Sequence, residues 1–193
     1  MSEPNYHDLF FKELMTRQES VSDFLKLYLP PELSAPIDTD SAELKAGSFV
    51  DEDLRDYHSD LLYRVKLKGG DIGFVYLLFE HKSYPDAMVA WQILKYLVRI
   101  WEMEVKSGAK KLTPILPIVF YHGSRQWRVP AEFSALLNWE GCEEWKAYAP
   151  GFRHHLHDFS EWDDDAVKGN LLTRLGTLAL KHIFDEKLDE FWQ

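Results

Sequence analysis

A chain of 193 residues, 46% hydrophobic and 15% aromatic, is long enough to bury one sizeable core and reads as a single domain over 1–193. Its formal charge of −10 runs against a general nucleic-acid binder, because phosphate binding normally draws on a basic surface. Cys142 is the only cysteine, no stretch approaches the roughly 18 consecutive apolar residues of a membrane helix, and the N-terminus lacks a secretion signal. Together these exclude a disulfide framework and point to a cytoplasmic protein with no membrane partner.

In chain order, residues 7–29 carry apolar side chains at helical spacing, and Arg17-Gln18-Glu19-Ser20 marks a break between two helices. Pro30-Pro31 stops the second. Acidic residues, among them Asp51, Glu52, Asp53 and Asp56, dominate 32–56, with a short strand expected near 44–50. Two strands follow over about 60–79, separated by Lys68-Gly69-Gly70-Asp71, the composition of a hairpin turn. Residues 61–67 alternate apolar and polar, whereas 72–79 are apolar on both faces, as a covered central strand would be.

A long helix is predicted over 87–106, with Met88, Trp91, Leu94, Leu97, Val98, Trp101 and Val105 as its packed stripe and Gly108 at its end. Residues 113–121 read as another central strand, 152–159 as a further strand, and 170–184 as a closing helix. A hairpin followed by alternating helix and strand predicts an α/β fold, a mixed central sheet flanked by helices on both faces. The chain ends amphipathically at Phe191-Trp192-Gln193, which suggests that a further C-terminal region packs there.

The residues with chemistry sit at the strand ends. Asp60 opens one strand of the hairpin, and Glu80-His81-Lys82 closes the other, directly after the apolar run 75–79. Charges seldom follow a buried run so closely without partners. Side chains alternate faces along a strand, so Glu80 and Lys82 point one way and His81 the other. Register decides whether Asp60 joins them. A two-residue Gly69-Gly70 turn would pair Lys68 with Asp71 and set Asp60 opposite Phe79, so convergence with Glu80 requires an odd-length loop or a bulge. On the helix that follows, Gln92 and Tyr96 are four apart and share one face.

Weaker signals are set aside. His154-His155-x-His157 has zinc-type residues, but no cysteine is near and no fourth ligand has clear spacing, so it reads as a polar strand edge. The Arg64, Lys66 and Lys68 face reads as solvated. No Gly-rich phosphate loop, dinucleotide fingerprint or Gly-x-Ser-x-Gly elbow is present.

Taken together, Asp60, Glu80-His81-Lys82 and Gln92-x-x-x-Tyr96 resemble the PD-(D/E)xK nucleases. More specifically the chain resembles the recombination-promoting nuclease (Rpn) family, also described as YhgA-like transposases. The matching blocks are His7-Asp8-x-x-Phe11-Lys12, Tyr28-Leu29-Pro30-Pro31-Glu32, Ser59-Asp60-Leu61-Leu62-Tyr63, Glu80-His81-Lys82-Ser83, Tyr96-x-x-x-Ile100-Trp101 and the segment from Pro117 to Gly123. The resemblance implies a restriction-endonuclease-like core, Mg²⁺-dependent DNA cleavage with Mn²⁺ able to substitute, and a role in recombination or mobile elements. Many members carry Gln where this chain has Lys82, and members tend to be longer.

Carried onto this chain, Asp60 and Glu80 would ligate the metal, with the His81 carbonyl as a third ligand. Lys82 would orient or deprotonate the attacking water, and Gln92 would support it. Tyr96, Arg64 and His122 are candidates for contact with DNA, and Glu13, Asp51 and Asp53 are candidate extra acids. A homodimer would suit double-strand cleavage. Two other readings compete: a catalytically inactive DNA- or protein-binding module that kept the fold, and an RNase H-like transposase, which would not require Lys82.

Overall fold

The computed structural model describes residues 6–45, 60–80, 85–121, 125–159 and 162–182. Two helices, α1 (Tyr6–Met15) and α2 (Gln18–Leu27), precede the short α3 (Pro31–Ser34). Then come β1 (Ile37–Leu44), β2 (Leu61–Leu67), β3 (Ile72–Glu80), α4 (Val89–Lys106), β4 (Ile115–Tyr121), β5 (His155–Asp158) and α5 (Leu171–His182). The five strands form one sheet in the order β1-β2-β3-β4-β5, antiparallel from β1 to β3 and parallel from β3 to β5. The expected α/β class with a mixed sheet is therefore what the chain adopts. The first strand is the exception: it runs over Ile37–Leu44 rather than the expected 44–50, and 46–50 lie outside the described residues. Its sequence is polar, and pairing with β2 makes it a strand where propensity would not.

The hairpin loop is odd. Leu67 N–H donates to the Asp71 carbonyl and Gly70 N–H to the Leu67 carbonyl, both at 2.8 Å, enclosing Lys68, Gly69 and Gly70. Gly70 has φ +91°, the left-handed position that a three-residue hairpin loop needs. Leu61 thus pairs with Leu77 and Lys66 with Ile72, a register shifted by one residue from that of a two-residue turn, and this shift gives Asp60 and the strand position of Glu80 the same face.

That register sorts the side chains into two cores. Leu61, Tyr63, Val65, Val75 and Leu77 face one side, where they pack with Phe11, Leu14, Val21, Phe24 and Leu25 of α1 and α2. Leu62, Tyr76 and Leu78 face the other, against Val89, Ile93, Tyr96, Leu97 and Ile100 of α4. The packed face of α4 is therefore not the expected stripe. Of that stripe only Leu97 is buried, while Met88, Trp91, Val98 and Val105 are exposed. The helix carries two apolar faces, and periodicity alone does not say which one meets the sheet.

The histidines near β5 also depart from expectation. His157 is enclosed by the rings of Phe24, Tyr28, Phe120, Phe159 and Trp162, with centroids 4.5–5.4 Å away. His154 is buried too, with Trp127 edge-on. They are core residues rather than a polar strand edge, and among the described residues no group of three His, Cys, Asp or Glu could hold a metal ion. Nor, among the described residues, is any helix long and apolar enough to cross a membrane.

Burial pushes the His157 pKa down from 6.5 to about 3, helped by neighbouring His155, and burial pushes His154 down to about 4, helped by His155 and Arg153. Both are neutral when folded and protonate more readily once unfolded. Their stabilisation is therefore complete above the ordinary value of 6.5 and is lost as pH falls towards the folded values. Urea unfolding at about pH 5 should give a stability roughly 1–2 kcal/mol lower per histidine than at about pH 7.5. The His157→Phe variant should lose that residue's share of the slope; an unchanged slope would contradict the assignment.

Candidate active site

The site is built where β2 begins, β3 ends and α4 starts its return over the sheet. Continuing the β2–β3 register by one residue sets Asp60 opposite Leu78, so Asp60 belongs to the face that α4 covers. Glu80 is two positions beyond Leu78 on β3, which gives its strand position the same face. The two positions are diagonal neighbours, a relation that places Cβ atoms about 7–8 Å apart in antiparallel sheets. Glu80 pairs with Tyr121 across the parallel neighbour β4, so it ends a strand flanked on both sides.

Asp60 is half-buried, and its Oδ2 accepts a hydrogen bond from the Tyr76 hydroxyl at 2.8 Å. Tyr76 lies on the same face, two positions before Leu78, and is itself buried. Its ring stacks on Tyr96 of α4 at 5.1 Å between centroids. The carboxylate is thus fixed by the sheet through Tyr76, and Tyr76 is clamped by the helix through Tyr96. Sequence reasoning missed Tyr76. The signal was there in outline: it is the one residue with a polar tip in the run 74–79, and it has the parity of Glu80.

Because β3, α4 and β4 form a parallel crossover, α4 runs back along β3 from the Glu80 end. Gln92 lies one turn, about 6 Å, nearer to that end than Tyr96. It is 6% exposed, an amide buried on an otherwise apolar helix face. The structure therefore links Asp60, Tyr76 and Tyr96 by contact, with Gln92 one turn before Tyr96 and the strand position of Glu80 diagonal to Asp60.

The expected substrate contacts and extra acids fare differently. Tyr96 is 5% exposed and belongs to the packing between helix and sheet. Arg64 shares the Asp60 face but is four residues along β2, about 13 Å away, paired with Phe74 and Glu43. Glu13 is on α1, on the opposite side of the sheet, in an exposed 3.2 Å ion pair with Arg17. His81, Lys82, His122, Asp51 and Asp53 lie outside the described residues.

A family model described as "Putative transposase, YhgA-like" matches residues 5–193. Recombination-promoting nuclease RpnD of Escherichia coli O157:H7 is 37% identical over 120 residues, covering 62% of this chain and 46% of that protein. Recombination-promoting nuclease RpnA of Escherichia coli strain K12 is 30% identical over 182 residues, 92% of this chain and 60% of its own length. Inactive recombination-promoting nuclease-like protein RpnE of the same strain is 30% identical over 189 residues, 94% of this chain and 60% of its own. The chain thus spans about half to three-fifths of the length of these relatives. No solved structure matches.

The Tyr76–Asp60 bond can be measured as a coupling. A hydrogen bond to a charged group contributes about 1.5–3 kcal/mol. In a double-mutant cycle of Tyr76→Phe and Asp60→Asn, unfolding free energies should give a coupling of about 1 kcal/mol or more. Additive effects would mean that the two side chains do not interact.

Proposed function

The chain belongs to the YhgA-like transposase family, and we propose that it is a metal-dependent DNA endonuclease that hydrolyses phosphodiester bonds in recombination. The observation that carries this reading is the odd hairpin loop, which gives Asp60 and the position of Glu80 one face of the sheet. On this reading the fold is a restriction-endonuclease-like core: a helix, a three-strand antiparallel meander, a crossover helix and a parallel strand. Relatives named recombination-promoting nucleases at 30% and 37% identity support the reaction class.

The donor set fits a hard divalent cation. On this reading Asp60 and Glu80 would offer carboxylate oxygens where β2 begins and β3 ends, and His81 a backbone carbonyl, a combination that suits Mg²⁺, with Mn²⁺ as substitute. Bound there, the ion would supply positive charge at a scissile phosphate and acidity to a water. The chain's own residues would do the rest. Tyr76 fixes the rotation of the Asp60 carboxylate through its hydroxyl. Lys82 would orient the attacking water or take its proton, and Gln92 would hold either of them from the helix side. Arg64 and His122 would contribute to holding the phosphate backbone, weakly in a chain of net charge −10.

One observation favours the second reading, a non-catalytic binding module. RpnE, 30% identical across 94% of this chain, is named inactive. Purified protein should nick supercoiled plasmid in Mg²⁺ or Mn²⁺ and not in chelator. Asp60→Ala, Glu80→Ala and Lys82→Ala should each slow nicking by about a hundredfold or more. Variants as active as the parent would remove these assignments. Absence of both nicking and calorimetric metal binding would favour the module.

A further inference from the structure

We propose that Arg125 and Arg128, on a segment pinned beside the Glu80 end of the sheet, are the side chains that hold the DNA phosphate backbone. That DNA is the partner rests on the endonuclease reading. Tyr121 ends β4 and pairs with Glu80, so the two positions are neighbours on adjacent strands. Val119, two residues before Tyr121, packs in the α4-side core, which gives Tyr121 the same face as Asp60 and the position of Glu80. Tyr121 is fully buried, and its hydroxyl donates to the Arg125 carbonyl at 2.7 Å. Trp127 sets its ring edge-on to Tyr121, 4.9 Å between centroids, and its Nε1–H donates to the Val129 carbonyl at 2.9 Å. Trp127 also packs against the α4-side core. Two aromatic rings therefore fix the backbone from Arg125 to Val129 against the face that carries the candidate site. Four residues span at most about 14 Å, so Arg125 stays close to the end of β4.

The ordinary reading of two loop arginines is that they are merely solvated. Their surroundings argue for more. Acids outnumber lysines and arginines by 32 to 22, and Arg17, Arg99 and Arg153 each lie within 3.6 Å of a carboxylate, on Glu13, Glu102 and Glu132. Arg125 and Arg128 are exposed, and among the described residues neither meets a carboxylate, Asp158 level with Tyr121 on β5 included. Arg128 donates from Nε and Nη2 to the Gln126 Oε1 at 3.3 and 3.1 Å, which orients the guanidinium without neutralising it. Two uncompensated guanidinium groups on a braced backbone suit phosphate oxygens, which a planar fork can bind in pairs. Contacts of this kind set the position of a duplex and read no bases. In a chain of net charge −10, attraction to DNA has to be local, and this pair supplies it next to the candidate acids.

The test is fluorescence anisotropy of a labelled duplex oligonucleotide with the full chain, in Ca²⁺ rather than Mg²⁺ so that binding is read without cleavage. Affinity is followed between about 50 and 200 mM salt. Arg125→Gln and Arg128→Gln should each weaken binding by about tenfold and flatten the slope of log K against log salt by about one. Tyr121→Phe keeps both charges but frees the Arg125 carbonyl, so it should weaken binding and leave the slope unchanged. Lys110→Gln with Lys111→Gln is the control. These exposed lysines lead into β4 at Ile115, about 20 Å along the strand from Tyr121, and their loss should change neither quantity. A wild type that does not bind the duplex overturns the proposal. So do arginine variants that bind like the parent, or a lysine control that weakens binding as much as they do. Plasmid nicking, scored separately, tells the two readings apart. Arginine-dependent binding by a chain that never nicks sinks the endonuclease and leaves the phosphate contacts standing, whereas nicking with unaltered binding by the arginine variants does the reverse.

Discussion

The loop Lys68-Gly69-Gly70 decides which side of the sheet every residue of the hairpin faces. Its length is odd, and the left-handed φ of Gly70 lets the chain turn without an even two-residue loop. Strand side chains have a period of two, so one residue more or less would exchange the faces of β2 relative to β3. Tyr63 would then leave the core in which its hydroxyl donates to the Met15 carbonyl, and Leu62 would leave the α4 side. Asp60 would turn from the partly open α4 edge towards the core of α1 and α2, where an unpaired carboxylate is costly. Both cores and the candidate site therefore rest on the same register.

The α1/α2 side of the sheet is where the chain ties distant segments together. Tyr28, which caps the C-terminus of α2, donates its hydroxyl hydrogen to the Lys168 carbonyl at 2.5 Å and accepts from the Lys168 N–H at 2.8 Å. Asp23 accepts from the Asn170 N–H at 2.8 Å at the entrance to α5. These bonds, with the ring cluster around His157, hold β5 and α5 against the first two helices. Among the described residues, the opposite side has one covering α-helix, α4, whose end is secured by Trp101 donating to the Thr113 carbonyl and by Thr113 N–H donating to Glu104. A sheet held firmly from one side can support a half-buried carboxylate on the other.

How much of this was legible in the sequence differs from element to element. Long periodic segments such as α4 and the apolar run of β3 announce themselves, and the helix break near Arg17 falls where the polar run placed it. The glycine pair at 69 and 70 marks a hairpin but not the parity of its loop, because two glycines serve even and odd turns alike. For α4 the residue types on its two apolar faces are nearly equivalent, so only contact with Leu62, Tyr76 and Leu78 selects the buried one. Histidine misleads in the same way. His154 and His157 are polar by type, yet their rings fill aromatic cavities. The pairing of Tyr76 with Asp60 spans sixteen positions and exists only once the register is fixed.

The placement of Tyr76 and Tyr96 explains how a carboxylate can end an otherwise apolar region. Asp60 is half-buried as a residue, its Oδ1 is shielded from solvent, and the Tyr76 hydroxyl donates to its Oδ2. The stacked ring of Tyr96 holds Tyr76 in that rotamer, and Tyr96 is carried by the same helix whose outer seam displays Trp91, Val98 and Val105. The inner face of α4 thus fixes an acid through two stacked rings, and a change in the packing of that face would reach the carboxylate directly, since packed interiors pass on displacement rather than absorb it.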